Sequence, residues 1–162
     1  MKHKKVWLLA GIPGSGKSTW VRKQIAKNGG VHCSRDEIRF SLLKDDEDYF
    51  AHENEVLRLW KEQASNAILD PDVENVYIDA THLTEKVRKR VLSELPIDDT
   101  CFVVIVFFKV PLEVCLERNS FREGRAYVPP EVIRNMMATY QTYTTLGDAF
   151  INIDKNGEVI YS

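Results

Sequence analysis

The stretch Gly11-Ile12-Pro13-Gly14-Ser15-Gly16-Lys17-Ser18-Thr19 constrains this chain more than any other. It follows the apolar run Val6-Trp7-Leu8-Leu9-Ala10 and leads into a helix-like segment from Trp20 to Lys27. A buried strand, a glycine-rich loop and a helix is the context in which G-x-x-x-x-G-K-[ST] has a mechanism. A polyphosphate presents clustered anionic oxygens and binds where several backbone N–H groups converge. Gly11, Gly14 and Gly16 let the chain wrap such a group without side chains in the way. The helix starting near Lys17 points its positive dipole end at the same place. Gly14, Ser15, Gly16, Lys17, Ser18 and Thr19 are therefore expected to hold a nucleotide's phosphates. Lys17 would reach the β/γ oxygens, and Ser18 would offer its hydroxyl to Mg²⁺.

The rest of the chain is read around that loop. Its 162 residues, 44% hydrophobic and 28% charged, make one soluble domain spanning 1–162. No apolar run reaches membrane-spanning length. Met1-Lys2-His3-Lys4-Lys5 has the charge of a signal n-region, but the apolar run after it is too short for an h-region, so no cleavage is expected. Cys33, Cys101 and Cys115 are odd in number and far apart, which argues against a paired disulfide set and a C-x-x-C metal site. They read as core residues of a cytoplasmic protein. The formal net charge of −2 gives no whole-molecule attraction to nucleic acid, so any polyanion must meet a local basic cluster.

Strands are expected at Lys5–Ala10, Gly30–Cys33, Asn75–Asp79, Cys101–Lys109 and Phe150–Ile153. Asn156-Gly157 suggests a turn into a terminal hairpin over Val159-Ile160-Tyr161. Helices are expected at Ser18–Lys27, from Ser34 (the S-x-x-E box Ser34-Arg35-Asp36-Glu37), about Asp46–Leu69, Thr84–Leu95, Leu112–Arg118, and Pro129 to about Thr144. Asp45-Asp46-Glu47-Asp48 is read as the solvated first turn of the long helix. Alternating strands and helices imply parallel βα units, whose active residues gather at the carboxyl ends of the strands.

Polar chemistry sits at each such end. Asp36 and Arg39 share a face of the second helix, with Asp36 near its N-terminus. Asp36 fits a base that takes a proton from an acceptor hydroxyl, and Arg39 could hold a phosphate on that acceptor; a capping acid and a surface charge are the alternatives. Asp79, closing the third strand, fits an acid near a metal. Thr81 and His82 follow it on the acceptor side, where a plain helix-entry turn is the other reading. Arg118, Arg122 and Arg125, beside Gly124, suit a lid carrying cations to a migrating phosphoryl group, or else a solvated basic helix end. Phe40 and Phe121 flank these residues and read as packing, with stacking on a base the other reading.

Taken together, Gly11–Thr19, Ser34-Arg35-Asp36-Glu37-Ile38-Arg39, Asp79-Ala80-Thr81-His82-Leu83-Thr84 and Glu117-Arg118-Asn119-Ser120-Phe121-Arg122…Val128-Pro129 resemble the P-loop kinases of the polynucleotide 5′-kinase type. The resemblance runs in order over nearly the whole chain. It implies an α/β P-loop kinase fold: a parallel sheet of about five strands, order 2-3-1-4-5, helices on both faces and an arginine-bearing lid. It implies ATP and Mg²⁺ as cofactors, with Ser18 and Asp79 toward the metal. It makes Lys17, Asp36 and Arg122 catalytic. Arg118, Arg122 and Val128 go to the nucleotide, Val128 near the adenine. Arg39 and Thr81 go to the acceptor's 3′-phosphate. The implied acceptor is the 5′-hydroxyl of DNA or RNA. A small-molecule kinase on the same fold and a non-catalytic ATP-binding module are the alternatives. The D-x-D-G-T phosphatase motif of bifunctional members is not in the sequence.

Overall fold

The computed structural model describes residues 4–160. The chain runs β1 (Lys4–Ala10), α1 (Lys17–Asn28), β2 (Val31–Ser34), α2 (Arg35–Leu42), α3 (Glu53–Leu69), β3 (Asn75–Asp79) and α4 (Glu85–Ser93). It continues with β4 (Cys101–Phe108), α5 (Leu112–Ser120), a 3₁₀ turn at Gly124–Ala126, α6 (Pro130–Thr139), β5 (Ala149–Ile153) and β6 (Val159–Ile160). The sheet order is β2-β3-β1-β4-β5-β6. Five strands are parallel, and β6 pairs antiparallel with β5. The expected all-parallel sheet of about five strands is thus corrected to a mixed sheet of six strands, with the hairpin strand added at the β5 edge. Tyr161, expected in that hairpin, and Met1–His3, at the start of the basic run, lie outside the described residues.

β1 lies between β3 and β4, with Leu8 in register with Ile78 on one side and Ile105 on the other. A strand covered on both faces must be apolar on both, hence the unbroken runs rather than alternation. Alternate residues still go to opposite layers. Val6, Leu8, Ile78, Ile105 and Phe107 pack under α3 and α4 through Trp60, Ala64, Ile68 and Val91. Leu9, Tyr77, Val104, Val106 and Phe108 pack under α1, α5 and α6 through Trp20, Val21, Cys115 and Ile133. All three cysteines are buried and free.

Helix starts follow local chemistry. Ser34 caps α2 by accepting the Glu37 N–H at 3.2 Å, and Thr84 caps α4 by accepting the Val87 N–H at 3.3 Å. Two helices fall several residues short of expectation, and α4 ends two residues early at Ser93. α3 begins at Glu53, not near Asp46, because the acidic run folds into turns: the Glu47 carboxylate accepts the Lys44 N–H at 2.8 Å and pairs with His52 at 2.7 Å. Phe50 therefore leaves the helical pattern and becomes exposed. α6 stops at Thr139 because Tyr140 turns inward, its hydroxyl donating to the Ala10 carbonyl at 2.8 Å. Among the described residues no helix is long and apolar enough to cross a membrane.

Candidate active site

The loop between β1 and α1 has the backbone its glycines allow. Gly14 sits at φ 84°, and a Cβ there would lie 2.6 Å from the Cys115 carbonyl oxygen, so only glycine fits between the loop and α5. The Lys17 ammonium donates to the Gly11 carbonyl at 2.9 Å and, more weakly, to the Ile12 carbonyl at 3.4 Å, lying across the mouth of the loop. Burial pulls its pKa below the ordinary lysine range. Asp79 and then Asp36 oppose that shift, and Arg122 adds to it, so these four charges converge on one place. The Gly11 N–H donates to the Thr81 carbonyl at 3.0 Å, tying the loop after β3 to the phosphate loop.

Ser18 and Asp79 meet directly. The Ser18 hydroxyl donates to Asp79 Oδ2 at 2.9 Å, and His32 Nε2 lies 2.7 Å from the same oxygen. Burial on its own would raise the Asp79 pKa. The hydrogen bond from His32, the Lys17 charge and the Ser18 hydroxyl outweigh it and hold the carboxyl below its usual range. Asp79 is thus an ionised carboxylate beside a hydroxyl. Among the described residues there is no cluster of three or more His, Cys, Asp or Glu that could hold a metal. Mg²⁺ takes one or two protein oxygens and completes its shell with phosphate and water. Ser18 and Asp79 fit that donor set.

Asp36 stands in the first turn of α2 with its side chain 64% exposed. Arg39 Nη1 and the Tyr49 hydroxyl (3.2 Å) both donate to its Oδ1, and Oδ2 has no protein partner among the described residues. Arg39 is only 5% exposed. Its Nε and Nη2 clasp both Glu53 oxygens at 3.1 and 2.7 Å, and its Nη1 also meets the Tyr49 hydroxyl at 2.9 Å. Four of the guanidinium's five N–H groups are thereby engaged within the protein. Arg39 is thus not a free surface cation: it joins Asp36, Tyr49 and Glu53 into one unit. Arg35 adds a second guanidinium to Glu53 at 2.5 Å.

On the opposite flank a cavity of about 460 Å³ opens. Its walls are the phosphate loop from Gly14 to Gly16, Thr19 and Lys23 of α1, Arg118 and Arg122, and the turn Lys155–Gly157 between β5 and β6. Arg118 spans it, donating to the Gly14 carbonyl at 3.2 Å and to the Lys155 carbonyl. Arg122 is exposed, with one weak bond to the Ala126 carbonyl at 3.4 Å. The terminal nitrogens of Arg125 are buried without a partner among the described residues.

Residues 6–143 match the AAA domain family AAA_33. The chain belongs to that family. Solved structures share the fold of this AAA domain. An unliganded sugar kinase from Janibacter sp. HTCC2649 aligns over 96% of this chain and 87% of its own, at TM-score 0.64 and 20% identity. A chain of the Pnkp1/Rnl/Hen1 RNA repair complex aligns over 86% of this chain and 44% of its own, at TM-score 0.71 and 22% identity. A fungal RNA kinase aligns over 94% and 75%, at TM-score 0.66 and 15% identity. The architecture of this AAA domain is therefore that of the P-loop kinases.

Two expected site residues stand elsewhere in this AAA domain. His82 is 2% exposed, its ring stacked 5.6 Å from Trp60 and its Nδ1 2.5 Å from the Leu9 carbonyl, so it supports the loop from inside. Val128 does not line the cavity. Asn119 grips its backbone from both sides, Nδ2 to the carbonyl at 2.7 Å and Oδ1 from the N–H at 3.0 Å. The Lys155–Gly157 turn lies on the cavity wall. His32, Tyr49, Glu53 and Lys155 are site neighbours that the sequence did not flag. Only Asn156-Gly157 carried a signal, as a turn.

Proposed function

We propose that this chain transfers the γ-phosphoryl group of ATP to the 5′-hydroxyl of DNA or RNA. The observation that carries the reading is the Asp36 carboxylate. It is exposed, fixed through Oδ1 by Arg39 and Tyr49, and open at Oδ2, close enough to Lys17 to influence its charge. An ATP-hydrolysing switch has no use for a fixed, outward-facing carboxylate on the acceptor side; a kinase needs one to orient a hydroxyl. Its exposure also suits an acceptor too large to be enclosed.

The phosphate-loop amides and Lys17 hold the donor's β- and γ-phosphates. Lys17 exchanges its two carbonyl bonds for phosphate oxygens. Mg²⁺, with Ser18 and Asp79 as its protein oxygens, supplies charge neutralisation on the donor when bound. Asp36 Oδ2 receives the proton of the 5′-hydroxyl as that oxygen bonds to the γ-phosphorus. The bond from phosphorus to the β–γ bridging oxygen breaks, and ADP leaves with its electron pair. Arg118 and Arg122 supply fixed positive charge beside the group in transit, Arg122 from a segment that closes as a lid. In this reading Thr81 and Arg39, through its remaining N–H, take the acceptor's phosphate.

The test is phosphorylation of a single-stranded 5′-hydroxyl oligonucleotide against a panel of sugars and nucleosides. Transfer to the oligonucleotide is expected. Transfer to a sugar or nucleoside alone overturns the acceptor; ATP binding without transfer to anything overturns the enzyme. Asp36→Asn should lower kcat by about 10²- to 10⁴-fold with ADP affinity kept, whereas Lys17→Ala should weaken ADP binding as well. Loss of ADP affinity in Asp36→Asn with kcat unchanged removes Asp36 from the base role.

A further inference from the structure

Beside Asp36 lies an aromatic cluster whose two phenyl rings the phosphoryl-transfer chemistry does not use. Phe40 is one helical turn beyond Asp36 on the same face of α2. Its ring centroid is 6.2 Å from that of Tyr49, and the Tyr49 ring is 4.8 Å from Phe50, both edge-to-face. Arg39 covers Tyr49, its guanidinium carbon 4.5 Å from the ring centroid. Tyr49 is thus fixed on three sides, and its hydroxyl touches Asp36. The two phenyl rings flanking it are turned outward: Phe50 is 63% exposed and Phe40 37%. Both have aromatic neighbours, yet neither is drawn into the core.

We propose that Phe50 and Phe40 form a stacking platform for the terminal nucleobase of a single-stranded acceptor. This rests on the 5′-hydroxyl reading above and names the part of the substrate that reading leaves open. Anything seated on these rings lies alongside the hydroxyl that Asp36 addresses, because Tyr49 links the two. A flat apolar group with a polar rim suits that place, and every nucleobase has such a face. A sugar has no such π-face, so the platform favours a base-bearing acceptor over a sugar. The neighbouring charges set the direction of the strand. Asp45, Asp46 and Asp48 are exposed on the turn before Tyr49 and repel phosphates. The platform therefore takes the base, and the sugar–phosphate backbone runs away from that turn. An unpaired 5′-terminal base is free to settle over the rings, whereas a paired one is held in its duplex stack, so a frayed or single-stranded end is favoured over a blunt duplex end.

Steady-state kinetics on a 5′-hydroxyl oligonucleotide tests this with three acceptors: single-stranded, blunt duplex, and single-stranded with an abasic 5′-terminal nucleotide. Phe50→Ala should raise KM for the single strand about tenfold with kcat within about twofold, the loss of one stack. Phe50→Leu, which keeps apolar volume without a π-face, should lose as much, and Phe50→Trp should restore binding. Wild type should show the same raised KM on the abasic strand and the blunt duplex, with no further loss in Phe50→Ala. An unchanged KM in Phe50→Ala and Phe50→Leu overturns the platform while leaving the 5′-kinase reading intact. So does an equal penalty on normal and abasic strands. Transfer by wild type to none of the three overturns the 5′-kinase reading itself, and the platform with it. A change in sedimentation of Phe50→Ala with KM unchanged assigns the patch to contact between copies of the chain and overturns the platform.

Discussion

His82 owes its chemistry to where β3 ends. The chain leaves the sheet at Asp79, and three residues later a histidine at φ 40° points its ring into the core. Burial, the dominant cause, lowers its pKa from 6.5 to about 4, and the nearby Lys17 and Arg35 charges push the same way. The Leu9 carbonyl and Asp79 oppose them without prevailing. Between pH 4 and 6.5 the unfolded chain then holds one more proton than the folded chain, so stability rises with pH in that window. The contribution is complete above the unfolded value and is lost as the pH falls toward the folded one, about 3 kcal/mol in all. Melting curves from pH 7.5 to 4.5 check it. His82→Asn should be less stable at pH 7.5, having lost the stack on Trp60, yet fall less steeply with acid. Parallel curves for the two proteins would exclude His82 as the source. Nothing in the sequence around His82 signals this role. A histidine after a strand reads equally as a ligand or as a core group, and the choice depends on Trp60 and Leu9, which are remote in the chain. The phosphate loop is legible for the opposite reason: its chemistry is backbone conformation, and glycines specify that locally.

Elements are legible where their boundaries are local and obscure where another part of the molecule sets them. The caps of α2 and α4 could be read because Ser34 and Thr84 act within three residues. The start of α3 could not, since Glu47 of the acidic run turns back on Lys44 and His52. The same distinction applies to the segment after α5. Arginines there suggested a lid, but what positions them is Asn119, a buried side chain that holds Val128 by both backbone groups. Asn119→Ala leaves the part-buried N–H and carbonyl of Val128 without their partner, a cost of about 2–3 kcal/mol. The melting temperature should fall by about 5–10 °C, and trypsin should cut after Arg122 or Arg125 markedly faster than in wild type. Asn119→Asp, which can still accept the Val128 N–H, should lie between the two. Unchanged cleavage in Asn119→Ala would show that the arginine segment is held by other contacts.

At the scale of the molecule, two half-sites share the phosphate loop. One is built from 14–23, Arg118, Arg122 and the 155–157 turn, and it opens as the cavity. The other is built from Asp36, Arg39, Tyr49 and Glu53, and it faces solvent. Arg118 belongs to the first alone: it bridges the Gly14 carbonyl to the Lys155 carbonyl, joining regions of the chain that are distant in sequence. No reading of the sequence could pair these residues, because the sheet places β5 beside β4 and thereby brings the hairpin over the loop. The division has a measurable consequence. Arg118→Ala unties the cavity wall and should weaken ADP binding about tenfold. The stabilisation by a fixed millimolar ADP concentration then shrinks by about 1.4 kcal/mol, a thermal shift smaller by about 3–5 °C. Acceptor KM, measured at saturating ATP, should stay within about twofold of wild type, because the proposed acceptor side lies at Asp36, away from that wall. Phe50→Ala should do the reverse, leaving the ADP shift intact while acceptor KM rises. If Arg118→Ala raised acceptor KM and left the ADP shift untouched, the cavity would have to be reassigned to the acceptor.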